Sequence, residues 1–317
     1  MKIGVIGAGA VGVGVCNYVL TLGMASELVL LDRNLDKAEG EVFDFQHTAA
    51  LTFSKNTDLI ATDDYSALKD ANIVVLTAGA QIQHGQSRLD IAEINARIGV
   101  DIAKQVEAVA PNAILIVVTN PCDIVTHFIA HNTHFNGAKL ISSGCVIDTA
   151  RLMTIVAQRV QLDPKNISGL VVGEHGSNCF IPERSLGVAG QNLDAYCEHN
   201  NLEKFERSEL LTSVQQAGFE IFHRKNNTAH GIAASVFRII QAIVVNERSV
   251  LPVGTVIHGE YGLDNVVMSL PTIVGKNGAE SVLSNAFDQS EQQALSNFAI
   301  QISESVAEVA RLTGLKA

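Results

Sequence analysis

The pattern of hydrophobic positions divides the chain into two halves. In the first half, short apolar runs rich in Val, Ile and Leu alternate with segments whose apolar residues recur at helical spacing. This alternation predicts an α/β fold with a doubly wound parallel sheet and right-handed crossovers. The predicted strands are Lys2–Ile6, Glu27–Leu31, Leu59–Thr62, Ile73–Thr77, Ala113–Val118 and Lys139–Ile141, and the clearest predicted helices are Asn34–Leu51 and Arg88–Val109.

The second half is predicted to form a separate α+β domain, and we place the boundary at 1–145 and 146–317. A β-rich segment with glycine turns predicts an antiparallel hairpin or meander. Ser290 is predicted to open the last helix through a capping box with the residues that follow it. The predicted elements are helices over 149–160, 202–222 and 228–246, the β-rich segment over 249–274, and a last helix ending near Leu312.

A Gly-x-Gly-x-x-Gly sequence follows the first predicted strand and opens a helical pattern. In this context Gly7 permits a tight turn, Gly9 lets the backbone approach a pyrophosphate, and Gly12 lets helix and strand pack closely. Asp32 ends the second predicted strand at about the 20-residue distance expected of the acid that binds the ribose hydroxyls. Because a carboxylate there repels a 2′-phosphate, the cofactor is predicted to be NAD.

Composition narrows the class of partner. The chain of 317 residues is 47% hydrophobic and carries a formal net charge of −11, which argues against nucleic acid and anionic membranes as partners. No apolar stretch reaches the roughly 20 residues of a membrane span, and no signal peptide is recognisable. Five cysteines without metal-type spacing are typical of reduced thiols. We therefore expect a cytoplasmic protein.

Two further segments indicate chemistry on a small carboxylic acid. Asp148 and Arg151 are three residues apart and would share one face of a helix. His175 stands in a Gly-Glu-His-Gly sequence with little side-chain bulk around it. A carboxylate that orients an imidazole produces a positioned acid/base, and an arginine beside it can hold a carboxylate through two hydrogen bonds.

These motifs, in this order, resemble the lactate/malate dehydrogenase superfamily over essentially the whole chain. Within this superfamily, the motifs are most similar to those of the L-lactate and L-2-hydroxyacid (hydroxyisocaproate-like) dehydrogenases. It rests on Gly7–Gly12, Ala78-Gly79-Ala80, Gly85, Arg88-Leu89-Asp90, Thr119-Asn120-Pro121, Asp148-Thr149-Ala150-Arg151, Gly173–Gly176 and Thr228. The resemblance implies reversible hydride transfer between NADH and a 2-oxo monocarboxylic acid, without a metal, in a homo-oligomer of two or four subunits.

The resemblance also implies roles for single residues. His175 is the proton donor and acceptor, Asp148 orients it and raises its pKa, and Arg88 polarises the substrate carbonyl from a closing loop. The expected substrate-binding residues are Arg151, Asn120, Ile82 and Thr228. The expected cofactor-binding residues are Gly7, Gly9, Val11, Gly12, Asp32, Thr77, Ala78, Gly79 and Asn120.

Each role has a plainer alternative that the residues leave open. His175 could be an ordinary core histidine, and Arg151 could form a helix-surface ion pair with Asp148. Arg88 could be a solvated loop arginine. Asn120 could occupy a simple turn, and Thr228 could cap a helix.

One departure from the family pattern concerns the substrate side chain. Where lactate enzymes usually have glutamine and malate enzymes arginine, this chain has Ile82. Isoleucine cannot pair with a second carboxylate, so malate is excluded. Each buried methylene adds about 0.8 kcal/mol, so we expect a preference for larger apolar side chains, as in 2-oxoisocaproate. The alternative is an L-lactate dehydrogenase in which Ile82 points away from the substrate.

A second departure from the family pattern concerns regulation. Met153 and Ser168 stand where many bacterial lactate enzymes bind fructose 1,6-bisphosphate through arginine and histidine, so we expect no activation by this compound.

NAD-dependent glycosidases share the architecture but need a metal held by cysteine and histidine, and the intact set of Asp148, Arg151 and His175 argues against them. A different class is a nucleotide sensor that has lost catalysis. Such a sensor could keep Gly7–Gly12 while losing His175 or Arg88, and both residues remain here.

Overall fold

The first half of the chain forms a six-stranded parallel sheet. The structure is a computed structural model that describes residues 1–51, 56–81, 88–284 and 286–317, apart from the side chains of Ala49 and Arg88. The spatial order of the strands is β3-β2-β1-β4-β5-β6, which confirms the predicted doubly wound sheet. The strands are β1 (Lys2–Ile6), β2 (Glu27–Leu31), β3 (Asp58–Thr62), β4 (Ile73–Leu76), β5 (Ile114–Val117) and β6 (Leu140–Ser142).

Helices connect these strands and cover both faces of the sheet. The strand order reverses between β1 and β4, so the carboxyl ends of these two strands border the crevice where doubly wound folds bind ligands. The Asn34 side chain caps the second helix by accepting from the Lys37 backbone N–H. The helices are α1 (Ala10–Thr21), α2 (Leu35–Ala49), α3 (Arg88–Val109) and α4 (Cys122–Asn132).

The second half adds an antiparallel extension to the same sheet. The two halves join where Gly254 lies opposite Ser142, and within the second half Ser269 lies opposite Gly173, so one sheet runs through both halves. The elements are α5 (Val146–Val160), β7 (Ile167–Ser168), β8 (Val172–Gly173), β9 (Cys179–Phe180), β10 (Gly187–Val188), β11 (Gln191–Asn192), α6 (Leu193–His199), α7 (Arg207–Lys225), α8 (His230–Val244), β12 (Ser249–His258), β13 (Asp264–Gly275), β14 (Gly278–Val282) and α9 (Gln289–Thr313).

Strands β12 and β13 form the predicted antiparallel hairpin, but several helix bounds differ from the prediction. Helix α5 begins at Val146, three residues before the predicted start, and α6 was not predicted. The capping box of α9 is formed by Asp288, not Ser290. The Asp288 carboxylate accepts from the Ser290 and Glu291 backbone N–H groups, while Glu291 accepts from the Asp288 N–H. Ser290 therefore lies inside the first turn.

Alternate strand residues pack into two hydrophobic layers, which explains the unbroken apolar runs in the sequence. Val74 and Leu76 of β4 lie in one layer with residues of α3, α4 and α9. Ile73 and Val75 lie in the other with residues of α1, α2 and α8. Burial of each such side chain contributes about 2 kcal/mol. Helices α8 and α9 thus cover the first-half sheet and hold the two halves together.

A third hydrophobic cluster lies around α5 in the second half, and it includes Leu152 and Val156. The five cysteines are all buried, and burial raises the pKa of the Cys122 and Cys145 thiols. Across the described ranges, no helix is long and apolar enough to cross a membrane.

Candidate active site

The loop between β1 and α1 has the shape that a dinucleotide requires. Gly7 has φ +109°, and a β-carbon there would lie 2.8 Å from the Ala78 backbone nitrogen. A β-carbon on Gly12 would lie 2.0 Å from the Gly7 carbonyl oxygen, so helix and turn meet at this glycine. On Gly9 it would face open space, with no atom within 4 Å. Only this glycine leaves the loop backbone open, as close approach of a pyrophosphate demands.

Asp32 lies beside this loop at the end of β2. Its Oδ2 accepts from the Ala8 backbone N–H at 2.7 Å, and its Oδ1 accepts from the Asn34 N–H at 2.9 Å. The carboxylate therefore braces the loop, a contact that the sequence motif does not indicate. Because α1 begins at Ala10 with glycine as its cap, its first N–H groups also face this region.

The segment after β4 forms the opposite wall of the crevice. The Thr77 hydroxyl lies 2.9 Å from the Ile6 carbonyl oxygen and 3.1 Å from that of Gly7, and it donates to these acceptors. A β-carbon on Gly79 would lie 2.3 Å from Thr119, so the two strand ends touch. Val11 is partly buried and packs against the hydrophobic layer under α1.

Asn95 on α3 is a site residue that the sequence analysis missed. Its side chain is 1% exposed. Its Oδ1 accepts from the Ala80 N–H at 2.7 Å, and its Nδ2 donates to the carbonyl oxygens of Ala80 at 3.0 Å and Asn120 at 2.6 Å. It thus ties together the loops that follow β4 and β5. The only sequence signal was an amide on the apolar face of a helix.

Asp148, Arg151 and His175 form one hydrogen-bonded cluster. Oδ2 of Asp148 lies 2.6 Å from Nδ1 of His175, and Oδ1 accepts from Nη1 of Arg151 at 2.9 Å. Because an ionised carboxylate only accepts, Nδ1 of His175 donates to Asp148. The Asp148 side chain is 6% exposed, whereas those of Arg151 and His175 are 15% and 20% exposed.

The charges in this cluster support a protonated imidazole. Burial alone would lower the pKa of His175, but the Asp148 carboxylate outweighs it through charge and hydrogen bonding, and the pKa is raised. Burial alone would raise the pKa of Asp148, but His175 and then Arg151 lower it. Asp148 therefore favours the protonated form of the imidazole, which is the form that can release a proton.

A tight hairpin presents His175 to the cluster. Strands β8 and β9 pair on either side of it, and the Glu174 N–H donates to the Asn178 carbonyl oxygen at 2.8 Å. The Asn178 amide donates in turn to the buried Glu174 carboxylate at 2.8 Å. Gly173 has φ +117°, a conformation that favours glycine. His175 is partly buried, with its side chain 20% exposed, and it has a carboxylate partner.

The Arg151 guanidinium forms the ion pair with Asp148 that the plainer alternative named, yet it is not on a helix surface. Its Nε has no hydrogen-bond partner among the described residues. Gly218 of α7 lies against it, since a β-carbon there would be 3.2 Å from Nη2. Because Asp148 accepts only from Nη1, the guanidinium retains N–H donors that can bind the carboxylate of a substrate.

The remaining predicted residues are Asn120, Thr228, Arg88, Ile82 and Gly85. Asn120 is exposed after β5 and is linked to Ala80 through Asn95. Thr228 precedes α8, whose cap is Ala229, so Thr228 does not cap that helix. Arg88 is the first residue of α3, and its side chain lies outside the described part of the chain. Ile82 and Gly85 also lie outside the described residues.

Taken together, the crevice fits NAD and the cluster fits proton transfer beside a carboxylate. This combination defines an NAD-dependent oxidoreductase. The chain belongs to the lactate/malate dehydrogenase family: residues 1–142 match the model of the lactate/malate dehydrogenase NAD-binding domain, and residues 145–313 match that of the α/β C-terminal domain.

Named relatives cover nearly the whole chain. The chain is 36% identical over 304 residues to L-lactate dehydrogenase 2 of Clostridium acetobutylicum, covering 94% of each protein. It is 37% identical over 296 residues to L-lactate dehydrogenase of Acetivibrio thermocellus, covering 93% of this chain and 92% of the relative. Its fold matches the crystal structure of a lactate dehydrogenase from a deep-sea metagenome library with a TM-score of 0.92, at 30% identity and 98% coverage of both chains.

Proposed function

We propose that this protein interconverts pyruvate and L-lactate with NADH and NAD. The observation that carries the proposal is the cluster in which Asp148 contacts both His175, at 2.6 Å, and Arg151, at 2.9 Å. In this cluster the His175 imidazole, which can donate a proton, lies next to the Arg151 guanidinium, which can bind a carboxylate. The names of the relatives support the choice of a lactate enzyme within the family.

In the reduction of pyruvate, the free donors of Arg151 hold the substrate carboxylate. His175 donates the proton on Nε2 to the carbonyl oxygen, and Asp148 stabilises the orientation and charge of the imidazole. The bound cofactor supplies the hydride. Gly7, Gly9 and Gly12 would hold its pyrophosphate and Asp32 its ribose, with Val11, Thr77, Ala78, Gly79 and Asn120 lining the same crevice.

A preference for larger apolar 2-oxo acids is the second candidate. It rests on Ile82 alone, which offers an apolar side chain where an amide is usual in lactate enzymes. The relatives' names favour lactate instead. The two candidates differ only in the side chain that the pocket accepts, and the rest of the site serves both.

NADH oxidation separates the candidates. We would compare kcat/KM for pyruvate, 2-oxoisocaproate, phenylpyruvate and oxaloacetate in the wild type and in Ile82→Gln. The lactate proposal expects pyruvate to be the best substrate of the wild type. If 2-oxoisocaproate is better and Ile82→Gln reverses the order, Ile82 sets the preference. If oxaloacetate is best, both candidates fail.

We also propose that fructose 1,6-bisphosphate does not activate the enzyme. Met153 on α5 and Ser168 on β7 offer no positive charge for a phosphate. Saturation curves for pyruvate should coincide with and without the bisphosphate. A clear shift of the curve to lower pyruvate concentrations would contradict this expectation.

We propose that the chain assembles as a homo-oligomer. Helix α7 exposes Phe219, Ile221 and Phe222, with Phe219 69% exposed, and such a patch is typical of an interface. Light scattering should give a multiple of the 33.8 kDa chain mass. Phe219→Ser together with Phe222→Ser should lower it, and a wild type of single-chain mass would contradict the proposal.

A further inference from the structure

A second carboxylate, that of Asp123, accepts a hydrogen bond from the His175 backbone. Asp123 lies in the first turn of α4, three residues after Asn120, and is 2% exposed. None of the roles assigned above uses it. A buried carboxylate is costly unless its oxygens accept hydrogen bonds, so its contacts indicate what it is for.

Both oxygens of Asp123 accept hydrogen bonds from other elements. Oδ2 accepts from the backbone N–H of His175 at 2.8 Å. Oδ1 accepts from the Ser142 hydroxyl, at the end of β6, at 2.5 Å. The Ser142 oxygen itself accepts from the Gly144 N–H at 3.0 Å. Asp123 therefore connects the cofactor half of the chain directly to the residue proposed to transfer the proton.

The neighbouring backbone leaves little room for Asp123 to move. A β-carbon on Gly254 of β12 would lie 2.5 Å from Oδ1 and 2.8 Å from Cβ of Ser142. The carboxylate thus occupies the space left by a glycine where β6 and β12 pair. Because the Ser142 hydroxyl and the Gly254 backbone both confine the Asp123 carboxylate, the carboxylate in turn fixes the position of the His175 backbone.

The charge of Asp123 also acts on the imidazole. Among the described residues, two carboxylates act on His175: Asp148 on α5 contacts Nδ1, and Asp123 on α4 contacts the backbone N–H. Both raise the pKa of His175, Asp148 more than Asp123, whereas burial and the Arg151 guanidinium lower it. The nearby thiols of Cys145 and Cys179 are buried, and burial raises the pKa of Cys145, so this thiol stays uncharged.

We propose that Asp123 is a positioning residue for proton transfer: it holds the His175 backbone in place and supplies a second negative charge to the imidazolium form. This inference rests on the proposed function of His175. A purely structural role for Asp123 would make the same hydrogen bonds, but it would not require the charge. The charge is therefore the quantity to test.

The test is an NMR titration of the His175 imidazole in the protein without substrate. Asp123→Asn keeps the size of the side chain and an oxygen for the His175 N–H, but it removes the charge. Ser142→Ala is the matched control, because it removes a hydrogen bond to Asp123 and keeps the charge. We expect Asp123→Asn to shift the titration of His175 to lower pH and Ser142→Ala to shift it much less.

The same variants should differ in kinetics. The decline of kcat/KM for pyruvate reduction with rising pH should move to lower pH in Asp123→Asn. At fixed neutral pH, we expect its kcat to fall roughly tenfold, since misplacement by about 1 Å can cost up to about a hundredfold. If Asp123→Asn does not fold, Asp123→Ser removes the same charge with a smaller side chain.

Unchanged titration of His175 in the folded Asp123 variant would overturn the proposal and leave Asp123 a structural residue. Equal shifts in Asp123→Asn and Ser142→Ala would overturn it as well, since packing alone would then explain them. The titration needs no turnover. If the wild type does not reduce pyruvate, the proposed function fails, yet the titration still decides the role of Asp123.

Discussion

Gly218 of α7 lies directly against the guanidinium of Arg151: a β-carbon at position 218 would stand 3.2 Å from Nη2 and 3.6 Å from Cζ. Helix α7 therefore forms a wall beside the residue proposed to bind the substrate carboxylate. The absence of a side chain at this one helical position keeps the Arg151 donors accessible.

Filling this space should weaken substrate binding. We expect Gly218→Leu to raise the KM for pyruvate by roughly tenfold or more, since an added side chain displaces the guanidinium at a cost of about 1–3 kcal/mol. Gly40→Leu on α2 is the matched control, because a β-carbon on Gly40 meets nothing within 4 Å. Steady-state kinetics of both variants, with unchanged NADH binding, measures the effect. Equal KM values in both would contradict it.

Replacing Arg151 by lysine tests whether the guanidinium binds the substrate carboxylate through two hydrogen bonds. Arg151→Lys keeps the positive charge but loses the planar fork, and we expect the KM for pyruvate to rise by roughly a hundredfold. Arg159→Lys, on the same helix, is the control, since Arg159 instead bonds Glu203 at 3.0 Å. An Arg151→Lys variant with wild-type KM would show that the substrate carboxylate binds elsewhere.

Replacing His175 by glutamine should remove proton transfer and spare the cofactor. We expect kcat to fall by roughly 10²–10⁴-fold, with the affinity for NADH measured by fluorescence unchanged. The pKa of His175 is raised, so the protonated form needed for reduction persists to higher pH. Pyruvate reduction should therefore decline as pH rises through this pKa, and lactate oxidation should decline as pH falls through it. If either of these pH-dependent declines persists in His175→Gln, a group other than His175 causes that decline.

Asp32 should determine the choice between NADH and NADPH. Asp32→Asn retains an acceptor for the Ala8 N–H but removes the charge that repels a 2′-phosphate. We expect the ratio of kcat/KM for NADPH to that for NADH to rise roughly ten- to a hundredfold, as expected from about 1–4 kcal/mol for unit charges near 4 Å. Asp36→Asn, in the first turn of α2, should leave the ratio unchanged. A constant ratio in both variants would contradict this role.

His127 on α4 should make the fold less stable in acid. It is 3% exposed, and neither ring nitrogen has a hydrogen-bond partner among the described residues. Burial and then the neighbouring His131 lower its pKa to about 4. Below the ordinary pKa near 6.5 the unfolded chain binds a proton that the folded chain excludes, so the free energy of unfolding falls as pH falls toward 4.

We expect this effect to reach roughly 2 kcal/mol between about pH 7.5 and about pH 5. Urea unfolding at both values measures it. His127→Gln should reduce the difference by about this amount, and the exposed control His199→Gln should not. The same difference in the wild type and in His127→Gln would show that other groups cause the acid sensitivity.

Comparison of prediction and structure shows which signals are local. The parallel strands and the start of α3 at Arg88 agree with the prediction to within a residue or two, because β-branched runs and helical periodicity act over neighbouring positions. Helix α6, seven residues long, was missed because its apolar pattern is too short. The cap of α9 was misplaced by two residues, since Asp288 and Ser290 are both good cap residues. The domain boundary near residue 145 stays a prediction.

What the sequence by itself determined is the set of parts: the glycine spacing for a dinucleotide, the acid at the end of β2, the Asp148 and Arg151 pair, and the histidine between glycines. Each depends on residues close in the chain, where backbone geometry alone places the side chains. The family resemblance implied that Asp148 orients His175, and the structure brings the two together across 27 residues. Only the tertiary structure decided that Asp123 reaches the same histidine across 52 residues and that Gly218 borders Arg151. Such contacts depend on how distant elements pack, and no local pattern encodes them.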